Sequence, residues 1–213
     1  MHWLTSAFGS SIGKKLMMAI TGLSFCGFLA VHLAGNLTVY GGGDAFNAYS
    51  ATLHSMGPML KIAETGLIFF AMVHIVTGIV LFFENLRARQ VRYHVKKNAG
   101  GQTIGSATMP YTGILLLAFV IIHLYNFSFV DKADISIFEI VRAKFANPVY
   151  IVLYIAGMTV VAVHVSHGFW SAFQTIGANH PKYMPFFRKL SIAFSLIVGI
   201  GFGMLPIYFA LMA

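Results

Sequence analysis

The chain is written in five long apolar runs separated by short polar segments, at about residues 16–40, 59–83, 109–130, 149–170 and 190–212. Each run can cross the ~30 Å hydrocarbon layer of a bilayer at ~1.5 Å of helix rise per residue. Backbone polar groups in lipid must pair within the structure, and apolarity here is continuous rather than alternating in runs of about ten. The pattern therefore predicts helices and not barrel strands: an all-α fold, an integral membrane bundle of five transmembrane helices, forming a single membrane domain over 1–213. The first run is too long for a signal-peptide core and has no small-residue cleavage site before the next polar stretch, so it is read as a span.

Composition agrees, since 58% of residues are apolar, 9% are charged and the mean hydropathy is +0.78. Basic residues are distributed unevenly about these spans. Lys14, Lys15, Arg87, Arg89, Arg92, Lys96, Lys97, Lys182, Arg188 and Lys189 fall on the N-terminal side, with Glu84 as the one carboxylate there. Lys61, Lys132, Arg142 and Lys144 fall on the other side with Asp44, Glu64, Asp131, Asp134 and Glu139. The positive-inside rule then predicts a cytoplasmic N-terminus. The formal net charge of +8 becomes a topology signal and no mark of nucleic-acid binding, and the basic face is suited to an acidic subunit or anionic membrane lipid.

The single cysteine, Cys26, rules out a disulfide framework and an iron–sulfur cage, and the chain has neither C-x-x-C-H nor G-x-G-x-x-G. Histidine is the remaining redox-centre ligand. His32, His74, His123 and His164 lie one in each of the first four spans, and ionisable groups at such depth are functional candidates. Counted from the cytoplasmic ends, His32 and His123 are ~24 and ~21 Å deep, and His74 and His164 ~15 and ~10 Å deep. Two levels follow, each offering two imidazoles to a haem iron: His32 with His123 towards the outer face, His74 with His164 towards the inner. The irons are expected on the order of 10 Å apart along the membrane normal, with a lateral offset.

A second pattern accompanies the first. Thr21-Gly22 and Thr112-Gly113 place a glycine ten residues before each outer histidine, and Gly78 and Gly168 stand four residues after each inner one. The first two spans thus read as a distant copy of the third and fourth. Gly22 and Gly113 are expected at the inner-haem level, where a missing side chain admits a porphyrin, with Gly78 and Gly168 one turn from the inner ligands. His167, one turn from His164, is given a supporting role. His2, His94 and His180 lie outside the spans. Ser171, Gln174, Lys14 and Arg87 have the depth to meet haem propionates.

The stretch Val163-His164-Val165-Ser166-His167-Gly168-Phe169-Trp170-Ser171-Ala172-Phe173-Gln174-Thr175-Ile176-Gly177 resembles the fourth-helix signature of the two-haem, five-helix cytochrome b subunit of succinate dehydrogenase and fumarate reductase. His32-Leu33-Ala34-Gly35-Asn36-Leu37 and His123-Leu124-Tyr125 are similar to its first- and third-helix ligand segments. The resemblance extends over essentially the whole chain in length, helix number and ligand order. It implies two b haems on the four histidines, a menaquinone-type quinone, an iron–sulfur subunit that itself binds a flavoprotein subunit, and a multi-pass place in the bacterial inner membrane. The direction of electron flow is left open, as is the oligomeric state, a dimer of the whole complex included. Two positions depart from the family. Where some relatives carry a glutamate near the outer quinone site this chain has His54, and where they carry a proton-route glutamate two residues before the fourth ligand it has Ala162.

A quinol gives up two protons as well as two electrons, so its site needs a proton acceptor. The polar residues Asn36, Asp44, Asn47, Tyr49 and His54 follow the first span, and His54 is the candidate acceptor because imidazole titrates near neutrality. An inner pocket beside the iron–sulfur subunit is the competing location. Two other function classes remain open: a proton-coupled transporter with a histidine relay, and a two-haem anchor for a hydrogenase or formate dehydrogenase.

Overall fold

Local sequence signals start and stop each helix in the computed structural model, which describes residues 9–88, 103–131 and 135–212. Ser10 begins α1 (Ser11–Asn36) by accepting a hydrogen bond from the Gly13 backbone N–H, satisfying one of the donors that a helix start leaves unpaired. The chain then makes a 3₁₀ turn at Leu37–Gly41 and is broken at Gly42, whose φ of +95° disfavours any residue with a side chain. Next come α2 (Gly43–Ser55) and α3 (Pro58–Arg87), the latter with proline in its first turn. A reciprocal capping box between Thr103 and Ser106 starts α4 (Ile104–Phe127). Ser136 caps the short α5 (Ile137–Phe145), Asn147 caps α6 (Pro148–Thr175), and α7 (Met184–Leu211) ends the described chain.

The described residues form no strand, and α1, α3, α4, α6 and α7 are the five helices long and apolar enough to cross a membrane. The expected all-α class and five spans are therefore present, with boundaries that differ from the apolar runs. Helix α4 begins at Ile104 and not near 109, and α7 begins at Met184 and not near 190, because caps and hydrogen bonding carry a helix beyond the apolar stretch. The first run stays helical to Gly41, but α1 gives way to a 3₁₀ helix after Asn36. Two further helices, α2 and α5, occupy segments that the apolar pattern left as connections. Arg89, Arg92, Lys96, Lys97, Lys132, Asp134, His2 and His94, used above for charge and histidine placement, lie outside the described residues.

Helices α1, α3, α4 and α6 form a ring in that order, with α1 opposite α4 and α3 opposite α6; α3 and α4 meet only lightly. Helix α7 lies along α6, its main neighbour, and also touches α1. Small residues allow this approach: a Cβ on Gly199 of α7 would stand 2.9 Å from Ala162 Cβ, and the Ser191 hydroxyl donates to the Ser166 carbonyl at 2.6 Å. At the end holding α2 and α5, Val39, Phe46, Phe138, Phe145, Tyr154, Leu205 and Phe209 form an aromatic plug. Asn47 pins α2 to α5 by accepting from the Phe138 N–H at 3.1 Å. Elsewhere the outer surface is apolar, with Ile68, Phe69, Met72, Ile114 and Ile121 all exposed. In water such a surface would be an aggregation liability.

Candidate metal centres

Contacts along α1 and α3 set the depth of the inner histidines. Running antiparallel, the two helices match Lys14 with Glu84 as an ion pair, Met18 with Gly78, and Thr21-Gly22 with His74. Helices α4 and α6 repeat the register: Met109 meets Gly168, and Thr112-Gly113 meets His164. A Cβ on Gly22 would lie 3.5 Å from His74 Cε1, and one on Gly113 3.8 Å from His164 Cε1. The internal copy read from the sequence is thus a copy of contacts. Gly22 and Gly113 do lie at the inner level, with the inner histidine rings as their nearest neighbours. Gly78 and Gly168 face the methyl ends of Met18 and Met109 at 3.7 and 3.9 Å.

His32 and His123 stand ten residues beyond Gly22 and Gly113 on their own helices. Ten residues of helix are ~15 Å, so the outer level is about that far from the inner one. There the two rings face each other across the α1–α4 diagonal with centroids 6.0 Å apart and planes at 86°. Two imidazoles on opposite sides of one metal ion, each bonded at ~2.0–2.1 Å, have ring centres ~6 Å apart. Perpendicular planes are compatible with a shared ligand axis. Phe28 stacks on His32 at 5.1 Å and Phe119 on His123 at 6.0 Å, each from four residues earlier in the same helix. Phe202 of α7 and Phe127 and Tyr154 complete the aromatic surround.

The second diagonal joins α3, which carries His74, and α6, which carries His164. All four histidines are half-buried. Imidazoles carried on opposite helices of the ring are the donor set of a six-coordinate haem iron. The residues present fit the group. One buried polar atom reinforces the point: His123 Nδ1 has no hydrogen-bond partner among the described residues, and neither does Asn126 Oδ1, three residues further along α4. Asn126 is 1% exposed and donates through Nδ2 to the Tyr154 hydroxyl at 3.2 Å.

His167 is directed elsewhere. Its Cβ abuts Gly105 at the start of α4, its Nδ1 is 3.5 Å from Thr103 Oγ1, and its ring meets Trp170 edge-on at 5.0 Å. Arg188 lies over the other side of this assembly, 4.8 Å from the Trp170 ring centre. Of the propionate candidates, Ser171 is half-buried near the inner end of α6, Gln174 and Arg87 are exposed, and Lys14 is held by Glu84.

The outer polar cluster divides. Asn36, one turn beyond His32, donates to the His32 carbonyl at 2.9 Å, and its Nδ2 is 3.5 Å from His32 Nδ1. Tyr49 packs its phenol against Gly35, while Asn47 is used in joining α2 to α5. His54 is exposed on α2, its Nδ1 donating to the Ser50 carbonyl of its own helix at 2.7 Å. It is not brought into contact with Asn36 or His32. Sequence reasoning passed over Phe28 and Phe119, and named Thr21 and Thr112 beside Gly22 and Gly113 without giving them a role. The signal was available, because each recurs at the same offset from a histidine in both halves. Asn126 and Tyr154 had no such signal. No family model matches the chain, and no curated protein or solved structure is significantly similar to it.

Proposed function

We propose that the chain is the membrane anchor and electron-transfer subunit of a succinate:quinone oxidoreductase. In this reading it holds one b haem between His32 and His123 and another between His74 and His164. It exchanges electrons between menaquinol or menaquinone and the iron–sulfur subunit of a fumarate reductase or succinate dehydrogenase. The site of action is the bacterial inner membrane, with the N-terminus cytoplasmic, and the dicarboxylate chemistry belongs to the flavoprotein subunit. The observation that carries the proposal is the facing of His32 and His123 across one diagonal of a helical ring, with His74 and His164 on the two helices of the other diagonal at a depth ~15 Å away.

Haem bound at these positions supplies one-electron redox chemistry at each level, which suits stepwise oxidation of a two-electron quinol. The chain does the rest. Its imidazoles give two neutral nitrogens to each centre, and Phe28, Phe119 and Phe202 keep water from the outer pair. Exposed Arg188, lying over the buried Trp170 ring, presents a cationic surface at the basic end of α6 and α7, suited to carboxylates or to an acidic partner. Exposed His54 takes the quinol proton at the opposite end, its Nδ1–H bond to Ser50 leaving Nε2 to accept.

The test is the absorption spectrum of the purified chain together with single His→Ala variants. Reduced b-haem bands in the parent, falling from two haems to one in each variant, are expected. Two haems retained in all four variants would refute the ligand assignment, and a parent with no haem bands would return the histidines to a relay role. Co-purification identifies the partner: flavoprotein and iron–sulfur subunits are expected, whereas a nickel or molybdenum subunit would move the chain to a hydrogenase or formate dehydrogenase. His54→Ala with both haems bound is expected to slow quinol oxidation, and an unchanged rate removes His54 from the proton step.

A further inference from the structure

Thr21 and Thr112 make the same unusual set of contacts in the two halves of the ring. Thr21 Oγ1 lies 2.9 Å from His74 Nδ1, 2.7 Å from the Met17 carbonyl and 3.3 Å from the Met18 carbonyl. Thr112 Oγ1 lies 3.0 Å from His164 Nδ1 and 3.1 Å from each of the Thr108 and Met109 carbonyls. A hydroxyl has one proton to give and two lone pairs to receive with. Given to the imidazole, that proton would leave the hydroxyl oxygen against its own helix carbonyl, lone pair to lone pair, at hydrogen-bonding distance. Given to the carbonyl, it leaves the oxygen free to accept from Nδ1–H, and both contacts become hydrogen bonds. Only the second arrangement satisfies every group, and it requires the proton of each inner histidine to be on Nδ1.

We infer that Thr21 and Thr112 are a matched pair of positioning residues that hold His74 and His164 as Nδ1–H tautomers, present each Nε2 to one shared iron and set its ligand strength. The inference rests on the haem reading above. An accepted Nδ1–H bond makes the ring more basic, and a more basic ligand favours the oxidised metal. The outer pair has no such hydroxyl device among the described residues: His123 Nδ1 is unpartnered, and the hydrogen-bond contact of His32 Nδ1 is with an amide nitrogen of Asn36 at 3.5 Å. Removing either threonine hydroxyl therefore acts on the inner haem alone.

The experiment is an equilibrium redox titration of both haems in the intact complex, for the parent, Thr21→Val, Thr112→Val, Thr21→Ser and Thr112→Ser. Either valine variant is expected to shift the ferric–ferrous equilibrium of the inner haem, the one lost in His74→Ala, towards ferrous by about threefold to tenfold. Tenfold corresponds to ~59 mV for one electron. The outer haem keeps its potential, and the serine variants return the inner haem to the parent value. Loss of the inner haem in the valine but not the serine variants would equally support the hydroxyl's role. Unchanged potentials in both valine variants would overturn the inference, as would shifts in different haems for the two positions or failure of serine to restore. A parent without b-haem bands overturns the haem reading itself and this inference with it.

Discussion

A neutral imidazole carries its proton on one nitrogen, and in a helical ring the neighbour of the other nitrogen decides what the group can do. At the inner level threonine makes that choice for both histidines. At the outer level phenylalanine and tyrosine surround His123 instead, and the ring depends on packing for its orientation. Gly157 is the residue on which this packing turns, since a Cβ there would lie 2.5 Å from the Phe119 ring and 3.1 Å from its Cγ. Phe119 has no free end to move aside at such a contact. Gly157→Ala is expected to destabilise the protein by ~1–3 kcal/mol through overpacking and, if the proposed haems are bound, to disturb the spectrum of the outer one while leaving the inner one. Thermal unfolding in detergent with absorption spectra of both haems checks this, and an equal effect on the two haems would contradict it.

Pairs of helices, more than single helices, are the working elements. The α1–α3 pair and the α4–α6 pair share one register, in which a methionine meets a glycine and a Thr-Gly step meets a histidine. Helix α7 holds no such step. Its contribution is to back α6 through Gly199 and Ser191. This contact explains the alanine at 162: Ala162 is against Gly199, and a longer side chain would push α7 away. Ala162→Glu is thus expected to lower thermal stability by ~1–3 kcal/mol without raising proton-coupled turnover; a stable variant of parental packing would show that α7 can yield. Ser191→Ala is expected to cost about 0.6 kcal/mol, the mean for a hydrogen bond between helices in a membrane, as read from the unfolding midpoint.

For the whole molecule, the basic end and the end bearing α2 and α5 belong on opposite sides of a membrane if the five helices span it. The native thiol, Cys26, is buried within α1, so an introduced cysteine reports without background. Ser55→Cys is expected to react with an impermeant maleimide added to intact cells, and Lys182→Cys only after permeabilisation; the reverse pattern would invert the topology and move the basic face away from a cytoplasmic partner. The five membrane-length helices and the helical class were legible in the residues. Long apolar runs and fixed spacings express local physics, which needs no knowledge of the rest of the fold. Helix ends were misjudged because capping by Ser10 and Thr103 is independent of apolarity, and α2 and α5 were missed because neither is long enough to register as a span. The packing of His167 against the start of α4, the exposure of His54 and the joining of Thr21 to His74 were decided only by tertiary structure. Those contacts link helices more than fifty residues apart in the chain or depend on rotation about a helix axis, and both are set by packing among helices, which no single stretch of sequence contains.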